Sequence, residues 1–236
     1  MRNLLLVASA IVFLSACGNN NTSSSGKKNT EVYKKLYEKS MSMKDYSTAI
    51  MAVQMILLED SSMASYQDSL PELYAAVNNV EAVSKTIDPV LKRHPKDEKF
   101  IQIKSVVQQE QGDYEGVMNS YSTLYELTHK LSYLYQIGTM SFQMGKLDEA
   151  TKIVDEILSK APGSKDSLDI FVSEQQKQKV PILAAALNFK GYIFAQKRNL
   201  PEAKKYFESA LKVFPDFVMA KRNIQQMMAG AQKRPQ

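Results

Sequence analysis

The stretch Ala186–Pro215 reads ALNFKGYIFAQKRNLPEAKKYFESALKVFP. Gly191 stands three residues before Phe194; Ala203, Phe207 and Ala210 follow at helical spacing, and Pro215 closes the run. Small residues fall where two helices would have to approach closely, and large ones where the space between them would have to be filled. Pro215 lacks a backbone donor and disfavours helical geometry one residue earlier, so it ends the second helix. The stretch therefore predicts two antiparallel helices joined by a tight turn.

Outward from it, the same arrangement recurs. In residues 30–63 the turn is Lys44-Asp45-Tyr46, followed by Ala49, Val53 and Ile56. In 64–97 it is Asn78-Asn79-Val80, followed by Val83, Ile87 and Val90. In 98–131 it is Gly112-Asp113-Tyr114, followed by Val117, Tyr121 and Leu124. In 131–164 it is Gly145-Lys146-Leu147, followed by Ala150, Val154 and Ile157, with Pro162 as the stop. The fifth copy occupies 184–217. A fixed period near 34 residues argues for stacked helical pairs, each burying its neighbour's apolar face. Residues 217–230, with Val218, Ile224 and Met228 expected inward and Lys221, Arg222, Gln225 and Gln226 outward, predict a capping helix.

These copies resemble the tetratricopeptide repeat. The resemblance implies an all-α fold, a right-handed superhelix (α-solenoid) of about five helix-turn-helix repeats plus a C-terminal capping helix. Its structural positions fall here on Ala49, Gly138, Ala150, Pro162, Gly191, Ala203, Phe207, Ala210 and Pro215. The family scaffolds protein complexes, and its first helices line a concave face. Carried onto this chain, that face offers Gln102, Gln109, Tyr135, Thr139, Phe142, Asn188, Tyr192 and Gln196. Rings with adaptable amides suit capture of an extended peptide or a helix. Aromatics at helical spacing serve equally as core, and the sequence leaves both uses open. The Lys/Asn carboxylate clamp of chaperone-binding members is absent: Glu38 and Ser69 stand where Asn is wanted.

Two departures stand out. Pro71 and Pro89 lie inside the helices expected for 64–97, and helix A there is expected to start at Pro71 behind Ser69. Residues 165–183 separate the fourth and fifth copies. Leu168, Phe171, Val172 and Gln175 follow helical spacing, which predicts an extra helix over about 166–178, ended by Pro181.

Ahead of the repeats, Met1-Arg2-Asn3 is a charged start, and Leu4–Leu14 is an uncharged apolar run, too short to span a bilayer, which needs about 20 residues. Leu14-Ser15-Ala16-Cys17 resembles the lipobox of bacterial lipoproteins. The resemblance implies a signal peptide over 1–16 and diacylglyceryl and acyl (palmitate-type) chains on Cys17, which anchor the mature chain to a membrane. Gly18 replaces the Asp that retains such proteins in the inner membrane of several Gram-negative bacteria, so the expected location is the outer membrane, facing the periplasm. Residues 17–29, polar and of low complexity, are expected as a flexible tether, and 231–236 as a disordered tail.

Charge and composition exclude several classes. The 236 residues carry a net charge of +5, about +4 without Arg2, and it is dispersed where a nucleic-acid face would cluster it. The lone cysteine forms no internal disulfide or thiolate metal cluster. No phosphate loop or nucleophile elbow occurs, and His94 and His129 lack partners at metal-ligand spacing. The expectation is a protein that is not an enzyme and holds no cofactor and no metal. It binds a protein partner of the cell envelope as a scaffold or adaptor. The alternative expectation is a peptide- or glycan-binding module with the inserted helix as lid.

Overall fold

A computed structural model describes residues 22–232, with side chains over 29–229. Cys17, the leader and the last four residues lie outside the described residues. The described residues form eleven helices and one β-hairpin. Ten helices make five consecutive pairs: α1 (Thr22–Ser42) with α2 (Tyr46–Glu59), α3 (Ala64–Ala76) with α4 (Val80–Arg93), α5 (Glu98–Glu110) with α6 (Tyr114–Thr128), α7 (Leu131–Gln143) with α8 (Leu147–Lys160), and α9 (Ile182–Gln196) with α10 (Leu200–Val213). The eleventh, α11 (Val218–Gln232), follows the last pair. The chain divides into two compact units, up to Tyr66 and from Gln67 onward.

One turn geometry joins every pair. The second residue after helix A takes a left-handed conformation at Lys44, Asn78, Gly112, Gly145 and Arg198. The next residue then donates its N–H to a carbonyl five residues back, at 2.9 Å in all five turns, from Asp45 to Ser40, Asn79 to Tyr74, Asp113 to Gln108, Lys146 to Ser141 and Asn199 to Phe194. This closure satisfies carbonyls that the helix end would leave orphaned. The same residue caps helix B. Asp45, Asn79, Asp113 and Asn199 accept from the backbone N–H of Thr48, Ala82, Gly116 and Glu202. Lys146 has no acceptor side chain and makes no such bond.

Helix B then buries one stripe. Ala49, Val53 and Ile56, and likewise Ala150, Val154 and Ile157, have no exposed surface, and Ala203, Phe207 and Ala210 are buried to within 1%. A Cβ on Gly191 would lie 2.7 Å from the Phe207 ring and 3.0 Å from the Ala203 carbonyl, so only glycine admits this approach. At Gly138 the nearest atoms, in Ile153 and Phe189, would be 3.3 Å away. Helix B stops at Lys160 and at Val213, two residues before Pro162 and Pro215.

Several expectations are corrected. Helix α3 starts at Ala64, ahead of Pro71, and α4 runs through Pro89. Each proline removes one helical donor, a loss that neighbouring turns of helix and the core around Leu73, Val83, Ile87 and Val90 offset. Helix α1 begins at Thr22, so residues 22–29, expected as tether, are helical. Extending an existing helix costs far less than nucleating one, which lets it run into a polar segment.

The extra helix over 166–178 does not form. Residues 165–183 hold an antiparallel hairpin, β1 (Ser167–Phe171) and β2 (Lys177–Pro181), with Leu168 opposite Val180 and Asp169 opposite Lys179. The alternating pattern outweighs the helical one. Leu168, Val172 and Val180 are buried, while Asp169, Phe171, Lys177 and Lys179 face outward. Phe171 is 59% exposed, with Lys177 Nζ 4.5 Å from its ring centre. No helix is present there to serve as a lid.

The hairpin pins the ends of three helices. Asp166 Oδ2 accepts the Leu131 N–H at the start of α7 (2.6 Å), and its carbonyl accepts Ile182 N–H at the start of α9 (2.9 Å). Gln178 donates to the Asp216 carbonyl (2.6 Å) and accepts from Val218 N–H at the start of α11 (3.1 Å). Arg222 of α11 donates to the Val172 carbonyl (2.8 Å). Leu168, Val180 and Ile182 join one core with α7, α8, α9 and α10, with Phe217 just ahead of α11 and with Ala220 in it. Val218 and Ile224 are half-buried, and Met228, expected inward, is exposed. Met228, Met227 and Ile224 line an open depression of about 240 Å³ with Leu200 and Pro201.

Candidate partner-binding face

The candidate face is built on α5, α7 and α9. On α7, Tyr135, Thr139 and Phe142 recur at one-turn intervals; on α9, Asn188, Tyr192 and Gln196 do the same. Four rings interlock across the two helices. Phe189 lies 5.3 Å from Tyr135 and 5.8 Å from Phe142, and Phe142 lies 5.3 Å from Tyr192, centre to centre. Their tilted and edge-on contacts follow the ring quadrupole. Phe189 is buried, Tyr135 and Phe142 are half-buried, and Tyr192 is 49% exposed. Three rings thus form a floor and Tyr192 stands on its rim. Burial raises the Tyr135 phenol to about 12, so it stays a neutral hydroxyl.

This face carries no charge. Helix α7 has no Asp, Glu, Lys, Arg or His, and Lys190 is the one charged residue of α9. Lys190 is turned to α8 and α10, where Asp155 accepts its hydrogen bond and its Nζ lies 4.8 Å from the Tyr206 ring centre. The polar groups that remain are neutral. Asn188 Oδ1 accepts from Asn223 of α11 (2.9 Å), and Thr139 donates to its own helix at the Gln136 carbonyl (2.8 Å). Gln196 is exposed.

The α5 residues are placed differently. Gln102 is engaged: its amide donates to Tyr133 Oη (2.6 Å) and to Glu98 Oε1 (3.1 Å). The same carboxylate oxygen accepts from Tyr133 (2.5 Å) and Lys130 (2.6 Å). Lys130 and Tyr133 hold the Glu98 carboxyl below its usual range, while burial and that carboxylate push the Tyr133 phenol up. The cluster ties α5 to the start of α7. Gln109 is exposed at the far end of α5, with the exposed Val106 one turn earlier. The sequence pattern therefore brings Tyr135, Thr139, Phe142, Asn188, Tyr192 and Gln196 onto one surface, while Gln102 serves as an inter-helix tie. Phe189, the hub of the rings, is the residue that the helix-A pattern passes over. Its buried position beside Gly138 is a packing role that spacing within α9 alone does not reveal.

His94 and His129 each cap a helix B. His94 Nε2 lies 2.8 Å from Asp68 Oδ2, and Arg93 donates to the other oxygen of that carboxylate. No group of three or more His, Cys, Asp or Glu is placed to hold a metal among the described residues. Among them, no helix is long and apolar enough to cross a membrane.

Comparison with known proteins agrees with this fold. Residues 184–217 match the family model described as tetratricopeptide repeat. No curated protein matches in sequence. Among solved structures, a tetratricopeptide repeat protein from Parabacteroides merdae superimposes with a TM-score of 0.63 at 14% identity, over 86% of this chain and 74% of that one. YrrB, described as a TPR protein with an unusual peptide-binding site, gives 0.60 at 17% identity, over 86% and 97%. The MamA protein gives 0.58 at 17% identity, over 79% and 92%. Identities this low carry the fold alone. Residues 184–217 are a tetratricopeptide repeat, and the chain around them has the fold of a tetratricopeptide solenoid.

Proposed function

We propose that the chain is a lipid-anchored scaffold of the bacterial cell envelope, held through Cys17 at the outer membrane, that grips a segment of a partner protein on the α7–α9 face. The observation that carries the binding role is the uncharged aromatic floor with Tyr192 exposed on its rim. An exposed Tyr backed by packed rings is already ordered. It offers contact area at small entropic cost, and such anchors dominate protein interfaces. Asparagine, glutamine and threonine side chains around it can pair with a partner's backbone. The peptide-binding site named for YrrB is a precedent for this use of the fold. The anchoring role rests on the charged start, the apolar run and Leu14-Ser15-Ala16-Cys17, and the outer-membrane location on Gly18.

Tyr192 is the test position, because Tyr135 and Phe142 also hold Phe189 in place. A photo-crosslinking residue at 192 in living cells should trap one protein partner that a crosslinker at the exposed Lys152 does not. Tyr192→Ala should weaken that partner's binding by about tenfold or more with an unchanged melting curve. Identical products at both positions would remove the assignment. A protease-resistant product at 192 alone would favour an uncharged glycan, which aromatic and amide groups also suit. Failure of Cys17 to incorporate labelled palmitate in living cells would remove the anchor.

A further inference from the structure

The five B helices present equivalent outward positions, six, nine and thirteen residues after the capping residue. On α4 these are Lys85, Asp88 and Lys92; on α8, Lys152, Asp155 and Ser159; on α10, Lys205, Glu208 and Lys212. On α6 they are Asn119, Ser122 and Glu126. On α2 they are Met51, Gln54 and Leu58, with Met51 55% and Leu58 80% exposed. Glu59, at the last position, is the one charged residue of α2. The turn ahead of α2 adds Met43, 68% exposed. One solvent face in five is thus uncharged and, but for Gln54, apolar where its counterparts carry charge, and water penalises its exposed Met and Leu surface unless something covers it.

We propose that a lipid bilayer covers it: the outer face of α2 rests in the interfacial layer of the membrane that holds Cys17. The proposal rests on the lipid-anchor reading. Two observations select lipid over protein. The face carries no Arg, a charged anchor that protein hot spots favour, and its exposed Met51 and Leu58 are flexible apolar side chains that suit a fluid medium. It also belongs to the helix pair that follows Cys17 directly. Helix α1 starts five residues after Cys17, and the end of α2 returns beside it, where Asp60 lies within electrostatic reach of Lys34. Lys35, Lys39 and Lys44 are exposed around this pair, but Glu31, Glu38 and Asp45 balance them, so the contact is apolar and weakly sensitive to salt.

The test uses the full acylated chain, in which Cys17 is blocked and an introduced thiol can be labelled alone. A bimane probe on Leu58→Cys should shift to the blue when the protein is reconstituted into phosphatidylethanolamine–phosphatidylglycerol vesicles, and doxyl-lipids should quench it. The same probe on Lys92→Cys, the matching position of α4, should stay in water. In the Cys17→Ser chain, Leu58→Glu should lower partitioning to these vesicles by roughly tenfold, with little change on adding salt. A probe at 58 equally wet in buffer and in vesicles overturns the proposal. So does a shift that appears in buffer and grows with protein concentration, which would assign the face to a second copy. A shift that requires added envelope protein would assign it to a protein partner and likewise overturn the proposal. Metabolic labelling of Cys17 with palmitate reads the anchor separately, so acylation without a shift at 58 refutes this inference and leaves the anchor standing.

Discussion

At the residue scale, the two glycines that the repeat pattern singles out carry unequal loads. Gly191→Ala drives a methyl into the Phe207 ring at 2.7 Å, with the Ala203 carbonyl behind it, and should destabilise the fold by about 1–3 kcal/mol. Gly138→Ala meets atoms at 3.3 Å and adds helix propensity, so its effect should be small. Urea denaturation of the two variants checks the order, and equal losses would contradict it. These glycines were legible because close approach needs glycine wherever it occurs. Phe189 and the Glu98–Tyr133 pair were not, because their partners lie on other helices, 35 residues away in the second case. That pair also sets a pH response. Hydrogen bonds from Lys130 and Tyr133 lower the folded-state pKa of Glu98 beneath its ordinary 4.5. Its contribution is therefore complete above that ordinary value and is lost as pH falls through the lowered one. Glu98→Gln should lower stability at neutral pH and change it little below the lowered pKa, which flattens the acid limb of the stability–pH curve.

At the element scale, the turns were readable and the insert was not. Each turn has a left-handed residue, followed in four of the five by a capping side chain, and these four appear in the sequence as Lys-Asp, Asn-Asn, Gly-Asp and Arg-Asn at a fixed offset. Lys44 and Arg198 occupy left-handed positions that cost a side-chain residue about 1 kcal/mol. Lys44→Gly and Arg198→Gly should therefore raise stability by about 0.5–1 kcal/mol, read as a higher denaturation midpoint at unchanged slope. In the insert, Leu168, Phe171 and Val172 fit a helix, while Leu168, Ile170 and Val172 fit a strand just as well. Three-residue evidence cannot separate the two periods; the bonds of Asp166 and Gln178 to the starts of α7, α9 and α11 decide it, and those are tertiary. Asp166→Ala removes the acceptor at Leu131 N–H and should cost about 1 kcal/mol, with faster amide exchange confined to the first turn of α7.

At the scale of the whole molecule, the period made the pairs legible, but the depth of burial along them is uneven. The largest core runs through α7, α8, α9 and α10, the hairpin and the start of α11, with Phe189, Ile182, Val180 and Phe217 at its centre. Smaller clusters serve α4 with α5, and α5 with α6 and α7. In an array of pairs, each amide opens at a free energy set by its own pair and the interfaces on either side. The hairpin adds a second layer of bonds at one place only, so cooperativity should concentrate there. Native-state hydrogen exchange should show the slowest amides in α8 and α9, with values that converge toward a common opening. The amides of α2, in a unit of two complete helices, should exchange at a lower free energy. Shortening residues 167–181 to a glycine-serine link should erase the difference by removing Leu168 and Val180 from the core they share with α7, α8 and α9. Uniform protection across α2, α8 and α9 in the unaltered chain would mean that the hairpin adds nothing to cooperativity, and that the repeats alone hold the array.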